Sequence, residues 1–181
     1  MTDLVRFEGP PADALWETWD NVHEQSLKLA SMITESTAQN GEQYDAMLVI
    51  PRGSYYPANI LSRELNFTAV NLIHACVSSY AGANRSTEFR YGQMPTPEDV
   101  AGKDILIIEE VCDTGHTLKH VTELLKVAGA GLVRTGVLHY KPSKSETDFV
   151  PDWWVNETDK WIVYPWEQHE INGQNSTVRR K

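Results

Sequence analysis

The chain has 181 residues, of which 41% are hydrophobic, and its formal net charge at pH 7 is −9. This length suits one domain with a well-filled core, and no apolar run is long enough to span a bilayer, so we expect a globular protein without a membrane segment. The acidic balance argues against nonspecific nucleic-acid binding. Cys76 and Cys112 show no disulfide or zinc spacing and the N-terminus lacks a basic signal region, which predicts reduced thiols and a cytoplasmic location.

A long amphipathic helix is predicted after the polar N-terminal segment. Its apolar side chains recur near one face at helical spacing, namely Leu15, Trp19, Val22, Leu29 and Ile33. A buried strand at residues 46–50 comes next and runs directly into a turn that contains Arg52 and Gly53, before a second helical pattern. Backbone amides exposed at Gly53, with the Arg52 charge beside them, suit an anionic ligand.

Two further segments precede the centre of the chain. Residues 68–77 are rich in β-branched side chains, which predicts another strand. From residue 78 to residue 102 the hydrophobic periodicity is lost and small, polar and basic residues accumulate. A polar stretch this long within a compact domain predicts a loop that is either functional or disordered.

The most informative stretch runs from residue 105 to residue 118. Four consecutive apolar residues predict a buried strand that ends in two carboxylates, Glu109 and Glu110. After two more residues comes a turn into a helix, made of Asp113, Thr114, Gly115, His116 and Thr117. The free N–H groups and dipole of a helix start, with two threonine hydroxyls, suit a phosphate. The acidic pair indicates a ligand that also offers hydroxyls and a divalent metal, so a phosphorylated ribose with Mg²⁺ fits.

This stretch resembles the phosphoribosyl pyrophosphate (PRPP) motif of the type I phosphoribosyltransferases, which is an apolar strand, two acids, two variable residues and Asp-Thr-Gly-x-Thr. The resemblance covers about residues 45–167, with the family's motifs in their usual order. It implies an α/β fold with a mostly parallel central sheet flanked by helices, and a small C-terminal hood. We expect a single domain at residues 1–170, with the core at about 12–140 and the hood at about 141–170, and a disordered tail at 171–181.

The resemblance also implies roles for the residues of the central motif. Asp113, Thr114, Gly115, His116 and Thr117 would hold the 5-phosphate of PRPP, and Asp113 would serve as general base or hydrogen-bond acceptor at the purine N7. The carboxylates of Glu109 and Glu110 would engage the ribose hydroxyls, directly or through Mg²⁺, and favour positive charge on the ribose ring.

Residues outside the motif take the remaining roles that the resemblance implies. Arg52 and Gly53 would bind pyrophosphate, and Ser79 and Tyr80 match a pair in the flexible loop that closes over PRPP. The last segment resembles the hood of bacterial xanthine/guanine phosphoribosyltransferases. There Lys141 would read the 6-oxo group, Trp161 would stack on the purine, and backbone groups at Ile162 would read the purine edge. The carboxylate of Glu167 would lie near the metal.

The expected reaction is transfer of 5-phosphoribose from PRPP to a 6-oxopurine (hypoxanthine, guanine or xanthine) with Mg²⁺ as cofactor. The partners would be PRPP and a purine base, without nucleic acid or membrane, in a homodimer or higher homo-oligomer. Three alternatives stay open: a regulator that binds PRPP or a nucleotide without turnover, an enzyme for another nucleobase, and packing as the sole role of the C-terminal tryptophans. His116 and His120 are spaced as a helical metal pair, but no third ligand has a suitable spacing.

Overall fold

The computed structural model describes residues 10–81 and 87–168. The expected disordered tail at 171–181 lies outside the described residues. Strands and helices follow in the order β1 (Leu15–Trp16), α1 (Trp19–Asn40), β2 (Ala46–Val49), α2 (Tyr55–Glu64), β3 (Leu72–His74), β4 (Val77–Ala81), β5 (Thr87–Tyr91), α3 (Pro97–Val100), β6 (Ile105–Cys112), α4 (His116–Val127), β7 (Val133–Tyr140), β8 (Trp153–Glu157) and β9 (Ile162–Val163).

The larger of two structural units, residues 22–159, is built on a five-stranded sheet. The strand order is β3-β2-β6-β7-β8 and every neighbouring pair is parallel. The central strand β6 begins with four apolar residues that are fully buried, as expected for a strand covered on both faces. The predicted α/β fold with a mostly parallel central sheet is therefore confirmed.

Side chains alternate along a strand, so the sheet presents two faces, and helices cover both of them. On one face Ile107 belongs to the buried cluster that also contains Leu118 of α4. On the other face Leu29 and Ile33 of α1 come so close to Gly136 that a Cβ there would lie 3.4 Å from both side chains. Glycine at this position lets α1 pack directly on the backbone of β7.

The predicted N-terminal helix begins later than expected. Leu15 was assigned to its apolar face, but Leu15 lies in β1 and its N–H donates a hydrogen bond of 2.8 Å to the carbonyl of Trp161. The helix begins at Trp19, where the Thr18 hydroxyl accepts the N–H of Asn21 and so satisfies one of the free donors of the first turn. Strand pairing and a local cap together decide the boundary.

The segment between residues 68 and 102 also differs from the prediction. The expected single strand at 68–77 is a 3₁₀ turn (Ala69–Asn71) followed by the short β3, because the Asn71 side chain donates to the Asp45 carbonyl and fixes a turn there. The predicted irregular loop contains an antiparallel hairpin of β4 and β5, and then the short helix α3. Its strands are five residues each, too short for a clear periodic pattern.

The acidic pair lies inside a strand, where the sequence pattern predicted that the strand ends. Strand β6 continues to Cys112, because Glu109 is paired with Val137 and Val111 with His139 of β7. Both carboxylates are therefore held by sheet backbone, which fixes their positions more rigidly than a loop would.

A smaller unit, described by itself, contains residues 10–21 and 160–168. In it β1 pairs in parallel with β9. The hood was predicted to begin at about residue 141, whereas β8 at Trp153–Glu157 belongs to the central sheet and the smaller unit begins at Lys160. The predicted bounds of the single domain and of its hood stay a prediction. In the described residues, no helix has the length and apolarity that crossing a membrane requires.

Candidate active site

The predicted site residues of the larger unit meet at the carboxyl ends of β2, β6 and β7. Open parallel sheets bind ligands at this edge, where the turns that follow neighbouring strands converge. A cavity of about 290 Å³ lies there, and its lining includes hydroxyl and carboxyl groups from the predicted motif and the hairpin, namely Ser79, Glu109, Glu110, Asp113, Thr114 and Thr117. Polar groups from two segments of the chain, β4 and residues 109–117, are thus brought together.

The phosphate loop, residues 113–117, joins β6 to α4. Gly115 has φ of 82°, a left-handed conformation that favours glycine, and a Cβ on it would overlap the hydroxyl oxygen of Thr147. Helix α4 then begins at His116, with 12 residues and a positive end that lies at the cavity. The predicted turn into a helix N-terminus is therefore present, and its role as an anion site stays a prediction.

A segment of the chain that the sequence analysis did not single out, residues 145–149, supports this loop. The Glu146 N–H donates a 3.0 Å hydrogen bond to the carbonyl of Thr114, and the Thr147 hydroxyl lies 3.5 Å from the same carbonyl. In a trans peptide the carbonyl and the following N–H point in opposite directions, so the Gly115 N–H is directed away from this segment. Its polar residues follow β7 and the 3₁₀ turn Pro142–Lys144 at the ligand-binding edge of the sheet, and this was the signal that could have found it.

The acidic pair is partly excluded from water. Glu109 is 9% exposed, and its Oε1 accepts the N–H of Glu110 at 3.0 Å. Burial, and then the neighbouring Glu110 charge, raise the pKa of Glu109 well above its ordinary value. Two carboxylates in this environment favour a proton, a metal ion or a ligand with hydroxyl donors over a second negative charge.

The turn after β2 faces this pair. A Cβ on Gly53 would overlap Glu110 Oε1, so glycine allows the turn and the carboxylate to approach each other. The peptide bond between Pro51 and Arg52 is cis, and the Ser54 hydroxyl donates to the Ile50 carbonyl. The structure thus places the predicted pyrophosphate turn directly beside the predicted metal-binding carboxylates.

Lys141 and Asp113 form an ion pair at the ends of β7 and β6. Their Nζ and Oδ2 atoms are 2.9 Å apart, and the Lys141 N–H donates to the Cys112 carbonyl, also at 2.9 Å. Lys141 is 8% exposed, whereas the Asp113 side chain is 51% exposed. Cys112 beside them is buried, and this burial, with the Asp113 charge, raises the pKa of its thiol to about 12.

The predicted flexible loop begins inside the β4–β5 hairpin. Ser79 lies in β4, and its hydroxyl is 3.0 Å from the hydroxyl of Thr117 in the phosphate loop. The Tyr80 side chain lies outside the described residues, although its backbone pairs with Glu88. Ser79 thus joins the predicted phosphate site from a different part of the chain.

The two histidines that resemble a helical metal pair have separate partners. His116 Nε2 lies 3.1 Å from the Glu146 carboxylate, and His120 Nε2 lies 2.6 Å from the Tyr91 hydroxyl. Among the residues that the structure describes, no group of three His, Cys, Asp or Glu side chains is placed to hold a metal ion by itself.

The remaining predicted residues belong to the smaller unit. Trp161 is 47% exposed, Ile162 is paired with Leu15, and the Glu167 carboxylate accepts the N–H of Tyr164 at 3.2 Å. Stacked aromatic rings stabilise the turn between Ile162 and Glu167, where the ring centroids of Tyr164 and Trp166 lie 4.7 Å apart. The roles of these residues in purine and metal binding stay a prediction.

Comparison with known proteins decides the family. Residues 18–169 match the family model described as "Phosphoribosyl transferase domain". The chain belongs to the phosphoribosyltransferase family. It is 30% identical to the xanthine-guanine phosphoribosyltransferase of Idiomarina loihiensis over 84% of this chain and 86% of the relative, and 29% identical to that of Nitratidesulfovibrio vulgaris over 83% and 82%. The predicted family and its assignment as a transferase enzyme are confirmed.

Solved structures agree with this family assignment. A purine phosphoribosyltransferase from Pyrococcus horikoshii superimposes with a TM-score of 0.69 and 29% identity, over 93% of this phosphoribosyltransferase and 99% of the other chain. A hypothetical protein from Neisseria gonorrhoeae with bound ppGpp gives a TM-score of 0.73 and 28% identity, over 90% and 93%.

Proposed function

We propose that this phosphoribosyltransferase transfers 5-phosphoribose from PRPP to a ring nitrogen of a 6-oxopurine, and so releases pyrophosphate and forms a purine nucleoside monophosphate. The observation that carries the proposal is the Lys141–Asp113 pair beside the phosphate loop. It offers a cationic donor and a carboxylate acceptor 2.9 Å apart, which suits the 6-oxo group and the neighbouring ring nitrogen of a purine. The similarity to two xanthine-guanine phosphoribosyltransferases and to the Pyrococcus purine phosphoribosyltransferase supports the same substrate class.

The phosphate loop would hold the 5-phosphate. Backbone N–H groups of residues 113–117 and the hydroxyls of Thr114 and Thr117 supply donors, and the N-terminus of α4 supplies a favourable dipole. Because the Thr114 carbonyl already accepts the Glu146 N–H, the loop is restrained before the ligand arrives. Such preorganisation lowers the entropic cost of binding.

Glu109 and Glu110 would bind the ribose hydroxyls and stabilise the charge that develops on the sugar. In the transfer, the bond between ribose C1 and the pyrophosphate oxygen breaks and a bond between C1 and the purine nitrogen forms. Glycosyl transfer passes through an oxocarbenium-like state, which nearby carboxylates stabilise. Asp113 would accept the proton, or a hydrogen bond, at the purine N7, and Lys141 would donate to the 6-oxo group.

The acidic pair also fits Mg²⁺, which prefers oxygen ligands and is commonly held by one or two carboxylates together with substrate phosphates. Glu109 and Glu110 would supply these ligands, and the raised pKa of Glu109 indicates that the pair favours a cation. The family resemblance implies Glu167 as a further ligand, and this stays a prediction. When bound, the metal neutralises charge on the leaving pyrophosphate.

Arg52 and Gly53 would bind that pyrophosphate through the guanidinium group and the backbone of the turn. Trp161 would stack on the purine ring, and the backbone at Ile162 would read its edge. Both cysteines are free thiols, which supports the cytoplasm as the place of the reaction. A homodimer or higher oligomer remains part of the proposal, on family resemblance.

The decisive experiment measures pyrophosphate release from PRPP and Mg²⁺ with each of hypoxanthine, guanine, xanthine, adenine and orotate. We expect release with at least one 6-oxopurine and the corresponding nucleoside monophosphate as product. Release with adenine or orotate alone would overturn the substrate class. Competition among the three 6-oxopurines would then rank them.

A second candidate is nucleotide binding without turnover, which the Neisseria neighbour with bound ppGpp favours. A guanine nucleotide that carries pyrophosphate would offer the same groups to this site as a purine and PRPP together. Titration with ppGpp tests this candidate directly. Binding of ppGpp combined with no pyrophosphate release from any base would favour it over the enzymatic proposal.

A further inference from the structure

The β4–β5 hairpin contacts α4 through a small cluster of side chains next to the phosphate loop. The rings of Phe89 and His120 stack with centroids 3.9 Å apart and an interplanar angle of 11°. The Tyr91 hydroxyl lies 2.6 Å from His120 Nε2. One turn earlier on α4, the Thr117 hydroxyl lies 3.0 Å from that of Ser79. Three contacts therefore join one face of the hairpin to one face of the helix.

The register of both elements links these contacts. Ser79 and Phe89 are directly opposite partners in the antiparallel pair, so their side chains project from the same face of the hairpin. Tyr91 follows two residues after Phe89 and shares that face. On α4, Thr117 and His120 are three residues apart and are neighbours on the helix surface. Fixing Phe89 on His120 therefore also fixes Ser79 on Thr117.

We propose that His120 is a positioning residue for PRPP binding, which acts through Phe89 and Ser79 on the Thr117 hydroxyl. The inference rests on the proposed function, because Thr117 is taken there to bind the 5-phosphate. Either hydroxyl can donate in this hydrogen bond, and in the proposed complex Ser79 donates, so that the Thr117 proton is available to a phosphate oxygen. His120 itself contacts neither PRPP nor the base.

The histidine ring supplies two separate contributions. Its flat face covers the Phe89 ring, and such aromatic pairs contribute beyond the area they bury. Its Nε2 bonds with Tyr91, which fixes the rotation of the ring about its side-chain bond. Phenylalanine at position 120 would keep the stacking and lose the hydrogen bond, whereas alanine would lose both.

The test measures PRPP affinity calorimetrically, with Mg²⁺ and without any base, in the full chain. We expect His120→Ala to raise the Kd for PRPP about tenfold, and His120→Phe or Tyr91→Phe to raise it about threefold or less. The matched control is His23→Ala, the same substitution at an exposed position of α1, which should leave the Kd unchanged. In turnover assays His120→Ala should raise KM for PRPP and leave kcat within about twofold.

A double-mutant cycle identifies the route. If His120 acts through Ser79, the Ser79→Ala/His120→Ala variant should bind PRPP no more than about twofold more weakly than Ser79→Ala alone. Fully additive losses, or wild-type PRPP affinity in His120→Ala, would overturn this inference alone. Wild-type protein that binds no PRPP would overturn the proposed function with it. If His120→Ala does not fold, the same cycle with Phe89→Ala, which removes the stacking from the other side, decides the point.

Discussion

Lys141 Nζ lies 2.9 Å from Asp113 Oδ2, and the backbone of the same lysine is bonded to the residue before that aspartate. The pair neutralises a largely buried ammonium group in the absence of ligand. In the proposed complex a purine would accept from Lys141 and donate to Asp113, so each group would keep a hydrogen-bond partner. In the proposed function the base binds at this ion pair, which opens as the base takes its place.

Substitution of Lys141 by Gln should therefore weaken base binding selectively. We expect KM for the 6-oxopurine to rise about tenfold or more, because a charge-assisted hydrogen bond is lost, while the Kd for PRPP stays within about threefold. Steady-state kinetics with each substrate varied separately checks this. Lys144→Gln, at an exposed position close in sequence, is the matched control and should leave both constants unchanged. Equal losses for PRPP and purine would contradict the assignment.

Glu109→Gln should stabilise the protein at neutral and alkaline pH. The pKa of Glu109 is raised by folding, so the wild-type protein loses stability as the pH rises from the ordinary glutamate range toward the folded-state pKa. Glutamine does not titrate and keeps an acceptor for the Glu110 N–H. We expect Tm to increase by about 2–4 °C for each kcal/mol gained in the free energy of unfolding. The difference in Tm between the variant and the wild-type protein should vanish toward pH 4.

Thermal unfolding from pH 4 to pH 9 measures this effect in the two proteins. Glu64→Gln, at an exposed position of α2, is the control and should show no comparable pH dependence. Activity of Glu109→Gln should fall although stability rises. A variant that is more stable at pH 4 and not at pH 8 would show that the sign is wrong.

Gly115→Ala should disrupt the phosphate loop. The substitution combines left-handed strain, about 1–2 kcal/mol, with overlap between the new methyl group and the Thr147 hydroxyl. We expect PRPP affinity to fall about tenfold or more and Tm to decrease. Gly102→Ala is a matched control, because Gly102 has a similar φ of 72° but no atom within 4 Å of its Cβ position. Adding Thr147→Ala to the Gly115→Ala variant should recover part of the lost PRPP affinity. Adding it to the Gly102→Ala variant should not raise the PRPP affinity.

Glu110→Gln should change the dependence of activity on Mg²⁺. One of the proposed carboxylate ligands becomes neutral, so the Mg²⁺ concentration for half-maximal activity should rise about tenfold. Initial rates across a Mg²⁺ titration at saturating PRPP and purine test this, with Glu64→Gln again as the control. An unchanged midpoint combined with a lower maximal rate would place Glu110 at the ribose and not at the metal.

Local sequence patterns predicted the parts of this protein that depend on short-range chemistry. The apolar run before Glu109 and the glycine turn after Asp113 were sufficient to place a buried strand, an anion turn and a helix. What the patterns could not supply was pairing between distant segments. The sequence pattern places Leu15 on a helix, whereas in the structure its backbone bonds to Trp161. Ser79 and Phe89 are neighbours only because of the antiparallel register of the hairpin.

The same limit applies to the candidate site. Lys141 and Asp113 were both singled out, with separate roles, but their ion pair required the two strand ends to be adjacent. Glu146 and Thr147 support the phosphate loop, but the only sign of this in the local sequence is a polar segment after a strand. Long-range contacts of this kind depend on the fold as a whole.

The burial of Cys112 has a practical consequence for experiments on this enzyme. A thiol whose pKa is raised to about 12 is almost entirely protonated at neutral pH, and only the thiolate reacts with maleimides or iodoacetamides. The chain's other cysteine, Cys76, is partly exposed and lies directly before β4. A fluorophore or spin label should therefore attach to Cys76 alone, and report on the base of the hairpin without any cysteine being introduced or removed.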